Sequence, residues 1–239
     1  MTAPSDHVYG RRAVREVLRG PREVRDLWVS ERALKAEPWL NDRGPGVRPR
    51  VVAERELSEL AGSRDHQGVV AAVEPFRYAD AQELAAQENA LLVCLDQVTD
   101  PHNLGAVARS AEGAGATGLV VPAHGSARVT PAVCRASAGA VEHLPIAVVP
   151  NLARFLGEVK RANLWIYGAA GDAETSMWSA DLSGGAAFVF GSEGRGLRPL
   201  VRRTCDELIA IPLNGQVDSL NVSVAAAVLL YEARRQRDA

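Results

Sequence analysis

From residue 91 onward the chain repeats one pattern: a short, uninterrupted apolar run followed by a stretch with helical spacing. The runs fall at 91–95 (LLVCL), 118–121 (GLVV), 144–149 (LPIAVV), 164–168 (LWIYG), 186–191 (AAFVFG) and 207–212 (ELIAIP), and helical stretches at 104–115, 131–140, 151–162 and 197–203 separate most of them. Strands that are apolar at every position are covered on both faces, and such strands joined through helices build a mostly parallel sheet. The pattern predicts an α/β domain over 91–239. Its last helix, about 219–236, is apolar almost all round from Val222 to Leu230 and is expected to be buried.

The first 75 residues read as a smaller α/β domain. Residues 10–19 place Ala13, Val14, Val17 and Leu18 at helical spacing, with Arg12, Arg15 and Arg19 on the remaining face. Short apolar runs follow at 27–30, 50–53 and 68–73, and the Gly- and Pro-rich stretch Asn41–Pro49 marks a loop. Residues 76–90 carry few strong hydrophobes and read as a linker with one helical turn.

Of 239 residues 47% are apolar but only 5% aromatic, so Ala, Val and Leu must supply most of the core. A net charge of −2 argues against a chain coated with phosphate-binding groups, yet residues 1–50 hold eleven Lys/Arg against seven acids. That surplus fits a module that touches phosphates, and it equally fits a solvated Arg-rich surface. Cys94, Cys134 and Cys205 are too widely spaced for a zinc ribbon or a disulfide framework. The N-terminal dozen residues lack the apolar stretch of a signal peptide, and no run reaches the ~18 apolar residues of a membrane span. A cytoplasmic protein without a membrane partner is expected.

Gly113–Gly118 (GAGATG) matches a dinucleotide fingerprint letter for letter but closes a helix and opens a strand, the reverse of the order such a fingerprint requires. This makes a nicotinamide oxidoreductase a distant reading. Three other segments carry the chemistry. In Asp96–Arg109 (DQVTDPHNLGAVAR), Asp100, Pro101 and Asn103 form a turn and a helix start, with Asn103 able to cap, and Arg109 follows on the helix. In Phe188–Leu197 (FVFGSEGRGL), a strand runs into a glycine-rich turn bearing Glu193; Gly191, Gly194 and Gly196 suit positive φ and close approach of a ligand. In Ile211–Ser223 (IPLNGQVDSLNVS), Ser219 and Asn221 stand at the threshold of the final helix, where free N–H groups face polar ligands.

Together and in this order, these segments resemble the three signature motifs of the SpoU/TrmH branch of the knotted (SPOUT) methyltransferases. Asn103 and Arg109 match the first, Gly191-Ser-Glu193-Gly the second, and Pro212 through Ser219-Leu-Asn221-Val-Ser the third. Residues 8–18 and 66–73 are similar to the small RNA-binding domain, related to ribosomal protein L30e, of the 23S rRNA guanosine-2′-O-methyltransferase subgroup. The phrases LDQVTDPHNLGAVARSAEGAGA and SLNVSVAAAVLLYEARRQ lie especially close to that subgroup.

The resemblance implies an L30e-like substrate-binding domain at 1–75, a linker at 76–90, and a SpoU catalytic domain at 91–239 whose C-terminal segment threads a trefoil knot. It implies S-adenosyl-L-methionine bound in the knot, with contacts at Gly191, Ile211 and Leu220 together with Ala170 and Gly171, and no metal. It implies a homodimer with each site completed across the interface, and methyl transfer to a ribose 2′-hydroxyl of RNA, a guanosine of 23S rRNA foremost. A tRNA or another rRNA ribose, or a relative that only binds RNA during ribosome assembly, are the alternatives. By analogy Arg109 activates the hydroxyl, while Asn103, Glu193, Ser219 and Asn221 hold Arg109 and the substrate. A guanidinium pKa above ~12 leaves a second role open for Arg109, orienting the adjacent phosphate and stabilising the developing alkoxide. Arg11, Arg12, Arg15 and Arg19 are expected to contact RNA phosphates.

Overall fold

The computed structural model describes residues 6–41, 47–161 and 164–239; most of the expected loop Asn41–Pro49 and the end of the expected helix 151–162 lie outside them. The chain divides into two compact units, Met1–Arg77 with Val129–His143, and Tyr78–Arg128 with Leu144–Ala239. The stretch 129–143, which in sequence reads as part of the parallel-sheet domain, therefore packs with the N-terminal unit.

The first unit runs β1 (Asp6–Tyr9), α1 (Arg11–Val17), β2 (Val24–Val29), α2 (Glu31–Ala36), β3 (Pro49–Val51), α3 (Glu54–Ala61) and β4 (Val69–Val73). Its sheet has the order β1-β4-β2-β3, with β4 antiparallel to both neighbours and β2 parallel to β3. Helix α1 buries Ala13, Val14 and Val17, the stripe its spacing predicts. Strand β1 and helices α2 and α3 were not legible; α3 (ERELSELA) fully buries Leu57, packs Leu60 and Ala61 partly beside it, and is otherwise polar.

The second unit begins with α4 (Ala81–Ala85), β5 (Leu91–Asp96), α5 (Pro101–Gly113) and β6 (Gly118–Pro122). Residues 76–90 are less of a linker than their composition indicates. Ala79 bridges to Ala147, Asp80 caps α4, and Ala81, Leu84, Ala85 and Ala90 join the second unit's core. The chain then enters the first unit through α6 (Pro131–Ala136) and a 3₁₀ turn at Ala140–Glu142. There Glu142 meets Arg22 inside the unit: Nε of Arg22 donates to Oε2 at 2.8 Å, and a second, shorter bond joins Nη2 to Oε1. Both side chains are almost fully buried.

The remaining elements are β7 (Ile146–Val149), α7 (Leu152–Arg161), β8 (Trp165–Ala169), β9 (Thr175–Ser176), β10 (Ala186–Gly191), α8 (Pro199–Thr204), β11 (Glu207–Ala210) and α9 (Val222–Arg237). The sheet order is β7-β6-β5-β10-β8-β11-β9 and every strand pairing in it is parallel. Strands β5, β6 and β10 are buried along nearly their whole length, as continuous apolarity requires. The GAGATG segment closes α5 and opens β6, so its glycines face no helix N-terminus. The final helix departs from expectation. Val222, Ala226, Leu229, Leu230 and Ala233 are buried, α5 packing against the helix, while Val224 and Tyr231 are exposed. Within one chain only part of its apolar circumference is covered.

Among the described residues no helix is long and apolar enough to cross a membrane.

Candidate active site

Strands β5, β10, β8 and β11 are neighbours in the sheet and all point the same way, so their carboxyl ends form one edge. Ligands of open parallel sheets bind at that edge. Here it carries a cavity of about 720 Å³, built from the end of β8 (Ala169–Gly171), the turn after β10 (Gly191–Gly196) and the segment from β11 into α9 (Ile209–Ala225). Ala170, Gly171, Gly191, Ile211 and Leu220, the five positions expected to contact a cofactor, all line it. So do Glu193, Ser219 and Asn221. Phe190, Leu213, Asp218 and Val222 also contribute and were not foreseen; Phe190, Asp218 and Val222 each flank a residue that was, and Leu213 follows two positions after Ile211.

The glycines of the turn after β10 do different jobs. Gly194 and Gly196 have φ of 76° and 62°, values an L side chain rarely adopts. They close a tight loop in which the Gly196 N–H donates to the Ser192 carbonyl at 2.9 Å. Gly191 has no positive φ. Its constraint is crowding: a Cβ there would lie 2.1 Å from the carbonyl carbon of Gly196 and 2.4 Å from the Leu197 nitrogen. The loop folds back directly onto Gly191, and only a hydrogen fits between.

That loop presents Glu193 to two amides. Nδ2 of Asn103 donates to Glu193 Oε1 at 2.9 Å, and Nδ2 of Asn221 donates to the same oxygen at 2.6 Å and to Asn103 Oδ1 at 3.0 Å. Each side chain is placed by its element. Asn221 is the N-cap of α9; its Oδ1 accepts from the Ser223 N–H at 2.8 Å, which turns Nδ2 toward Glu193. Asn103 was expected as a possible cap, but Asp100 takes that role, accepting from the His102 N–H at 2.8 Å with Pro101 in the first turn. Asn103 lies inside the first turn, and this frees its amide for Glu193.

Ser219 lines the cavity but makes no hydrogen bond among the described residues. Arg109 is exposed on α5, outside the cavity and without a hydrogen bond or ion pair among the described residues. Six residues of α-helix rotate a side chain by about 600°, so Asn103 and Arg109 leave α5 in different directions. Two ion pairs missed in the sequence brace the loops. Asp96, at the end of β5, holds Arg198 just past the glycine turn, and Arg202 of α8 pairs with both oxygens of Asp172 beside Gly171, keeping that carboxyl below its ordinary pKa. Among the described residues no group of three His, Cys, Asp or Glu is placed to hold a metal ion.

The four arginines expected to touch RNA are all on or next to α1. Arg12 and Arg15 are exposed, Arg19 pairs with Glu16 at 3.2 Å, and Arg11 pairs with Glu37 at 3.0 Å while its Nε donates to the Gln67 carbonyl.

A cavity at the carboxyl edge of a parallel sheet, walled by backbone and apolar side chains and edged by an amide–carboxylate cluster, defines a small-molecule-dependent α/β enzyme. The chain belongs to the SpoU rRNA methylase family, whose description matches residues 90–231, and residues 7–79 match the RNA 2′-O ribose methyltransferase substrate-binding family. It is 44% identical, over 94% of its length and 89% of the relative's, to the 23S rRNA (guanosine-2′-O-)-methyltransferase RlmB of Xanthomonas campestris. It is 40% identical, over 98% of both chains, to RlmB of Vibrio vulnificus. Among solved structures, the SpoU methyltransferase AviRb from Streptomyces viridochromogenes in complex with the cofactor AdoMet is similar with a TM-score of 0.79 and 28% identity, covering 98% of this chain and 91% of that one.

Proposed function

We propose that this chain transfers the methyl group of S-adenosylmethionine to the 2′-hydroxyl of a guanosine ribose in 23S rRNA. The observation that carries this reading is that Glu193 and Asn221, on the wall of the sheet-edge cavity, are joined to each other and to Asn103 by amide hydrogen bonds, in a chain of the SpoU family. The RlmB relatives, similar over nearly their whole length, favour the 23S guanosine over a tRNA ribose.

The cavity fits the cofactor. Its volume falls within the ~300–1,000 Å³ of small-molecule sites. Phe190, Ile209 and Val222 offer apolar wall, and Gly171 and Gly191 leave backbone uncovered by side chain. Bound there, S-adenosylmethionine supplies a methyl group already activated by the sulfonium.

What remains for the chain is to position the ribose and accept its proton. Asn103 and Asn221 fix the Glu193 carboxylate by one oxygen, so the other is presented in a set direction to a ligand hydroxyl or amine. Arg109 lies outside this cluster in its own chain. A homodimer with sites completed across the interface gives its guanidinium a place against the substrate phosphate. Support for a dimer comes from the exposed apolar side chains of Val217, Val224 and Tyr231 on and just before α9. The C-terminal trefoil knot enters this reading through the match of residues 90–231 to the SpoU family. The N-terminal unit binds the RNA, and the cytoplasm is where such a substrate is met.

Digestion of the methylated RNA to nucleosides tests the chemistry. The reading expects 2′-O-methylguanosine by mass spectrometry; a methyl group on a base overturns it.

A further inference from the structure

We propose that a recess in the N-terminal unit, formed by Arg11, Arg32 and Arg64, binds a phosphodiester of the RNA substrate. The proposal deepens the RNA-methyltransferase reading and rests on it for the identity of the ligand.

The sheet registers explain why three distant arginines meet. Tyr9 of β1 pairs with Val70 and Val29 of β2 pairs with Val69, so β1 and β2 end where β4 begins. Arg11 opens α1 immediately after β1, Arg32 follows β2 in α2, and Arg64 lies in the turn that leads into β4. All three line one recess of about 330 Å³, together with Glu54, His66 and Gln67.

Their charges are unevenly compensated. Arg11 is paired with Glu37 and held by the Gln67 carbonyl. Arg32 and Arg64 are exposed and make no hydrogen bond or ion pair among the described residues. Among the described residues Glu54 is the one carboxylate lining the recess, and it approaches Nε2 of His66 at 3.7 Å. His66 itself is buried and occupied: Nδ1 accepts from the Gly68 N–H at 3.0 Å, and Nε2 meets Ser58 Oγ at 3.1 Å. It serves as a strut for the Gln67–Gly68 turn that holds Arg11.

With Arg11 paired to Glu37, the exposed guanidiniums of Arg32 and Arg64 leave the recess a positive surplus that a bound anion would offset. Guanidinium pairs best with a planar or tetrahedral oxyanion offering several acceptors, which is what a phosphodiester presents. The recess is wide enough for the phosphate with part of its flanking sugars, and among the described residues no Phe, Tyr or Trp lines it as a stacking platform for a base. It is also separate from α1's outer face, where Arg12 and Arg15 give a more diffuse positive surface.

The test uses the full chain with a 23S rRNA transcript, comparing the Arg32→Gln/Arg64→Gln double variant with an Arg77→Gln/Arg154→Gln double variant. The second removes the same charge from exposed positions outside the recess. Affinity for the transcript is measured as a function of salt, beside kcat, KM for RNA and affinity for S-adenosylmethionine. Loss of one phosphate contact lowers the slope of log K against log salt by about 0.7–0.9. The recess variant is expected to show that change and a KM for RNA raised about tenfold, with kcat and cofactor affinity unchanged; the control is expected to match wild type. A recess variant with wild-type slope and KM, or a control that weakens as much, overturns the proposal. Should the wild-type chain methylate no RNA, the functional reading fails, and the salt slopes of direct binding still decide the recess.

Discussion

Asp96 and Arg198, 102 residues apart, are joined by two hydrogen bonds: the Arg198 backbone N–H donates to Oδ2 at 2.8 Å and its Nε to Oδ1 at 2.7 Å. Asp96 has no exposed surface, whereas Arg198 is partly exposed. The pair ties the end of β5, from which the chain leads to Asn103, to the far side of the loop that carries Glu193. It therefore sets the distance between two members of the cluster without belonging to it.

Asp96→Asn keeps an acceptor for the Arg198 N–H and removes the charge. A charge-assisted hydrogen bond contributes about 1.5–3 kcal/mol, and the exposure of Arg198 places this one at the lower end. The expected outcome is a folded protein with KM for S-adenosylmethionine raised by about tenfold, since ~1.4 kcal/mol is a factor of ten. Steady-state kinetics at varied cofactor checks it; a variant with unchanged KM and kcat removes the pair from any role in positioning the loop.

Asn221 has two separable tasks, capping α9 and holding Glu193. Asn221→Ser retains an N-cap oxygen of comparable strength but has no amide to donate. Its melting temperature should stay near wild type while turnover falls by more than tenfold, a loss above ~1.4 kcal/mol of positioning. Asn221→Ala should lose both, with about 1 kcal/mol of stability gone through the cap. If Asn221→Ser turns over like wild type, the hydrogen bonds to Glu193 and Asn103 are incidental.

The buried pair of Arg22 and Glu142 makes a prediction about stability alone. Arg22→Met leaves the Glu142 carboxylate buried and uncompensated, which costs about 3–5 kcal/mol. Replacing both residues by Met removes the stranded charge and should recover most of that loss. Urea unfolding of the two variants and wild type provides the comparison. Equal destabilisation in the single and double variants contradicts the account.

These cases also show what the sequence could reveal. The strands of the parallel sheet were legible because each is apolar at every position, and α1 because Ala13, Val14 and Val17 repeat at helical spacing. Gly191, Ile211 and Leu220, which line the sheet-edge cavity, were legible because each lies within a contiguous family motif, whereas Ala170 and Gly171 lie outside all three. Asn103 was misjudged as a potential cap, although Pro101 in the first turn already pointed to Asp100. The placement of 129–143 depends on Arg22 finding Glu142 across 120 residues, and the recess depends on Arg32 and Arg64 meeting through strand register. Neither leaves a local pattern. Exposed Val224 and Tyr231 show the limit of composition: an apolar helix reports a need for burial and not what will cover it.

Arg109→Ala should fold, retain S-adenosylmethionine affinity within about twofold, and lose methyl transfer by a hundredfold or more, equivalent to ~2.7 kcal/mol of transition-state stabilisation. The exposure of Arg109 and its lack of side-chain partners among the described residues predict the intact fold. Calorimetric cofactor binding and single-turnover methylation check the two halves separately. Normal turnover removes Arg109 from the mechanism.

The most direct test of the central claim is transfer of labelled methyl from S-adenosylmethionine to unmodified 23S rRNA and, in parallel, to unmodified tRNA, with the labelled nucleotide mapped. Label is expected at a single guanosine ribose of 23S rRNA and none in tRNA. Label in tRNA alone contradicts the substrate, and no cofactor binding with no label in either RNA contradicts the enzyme.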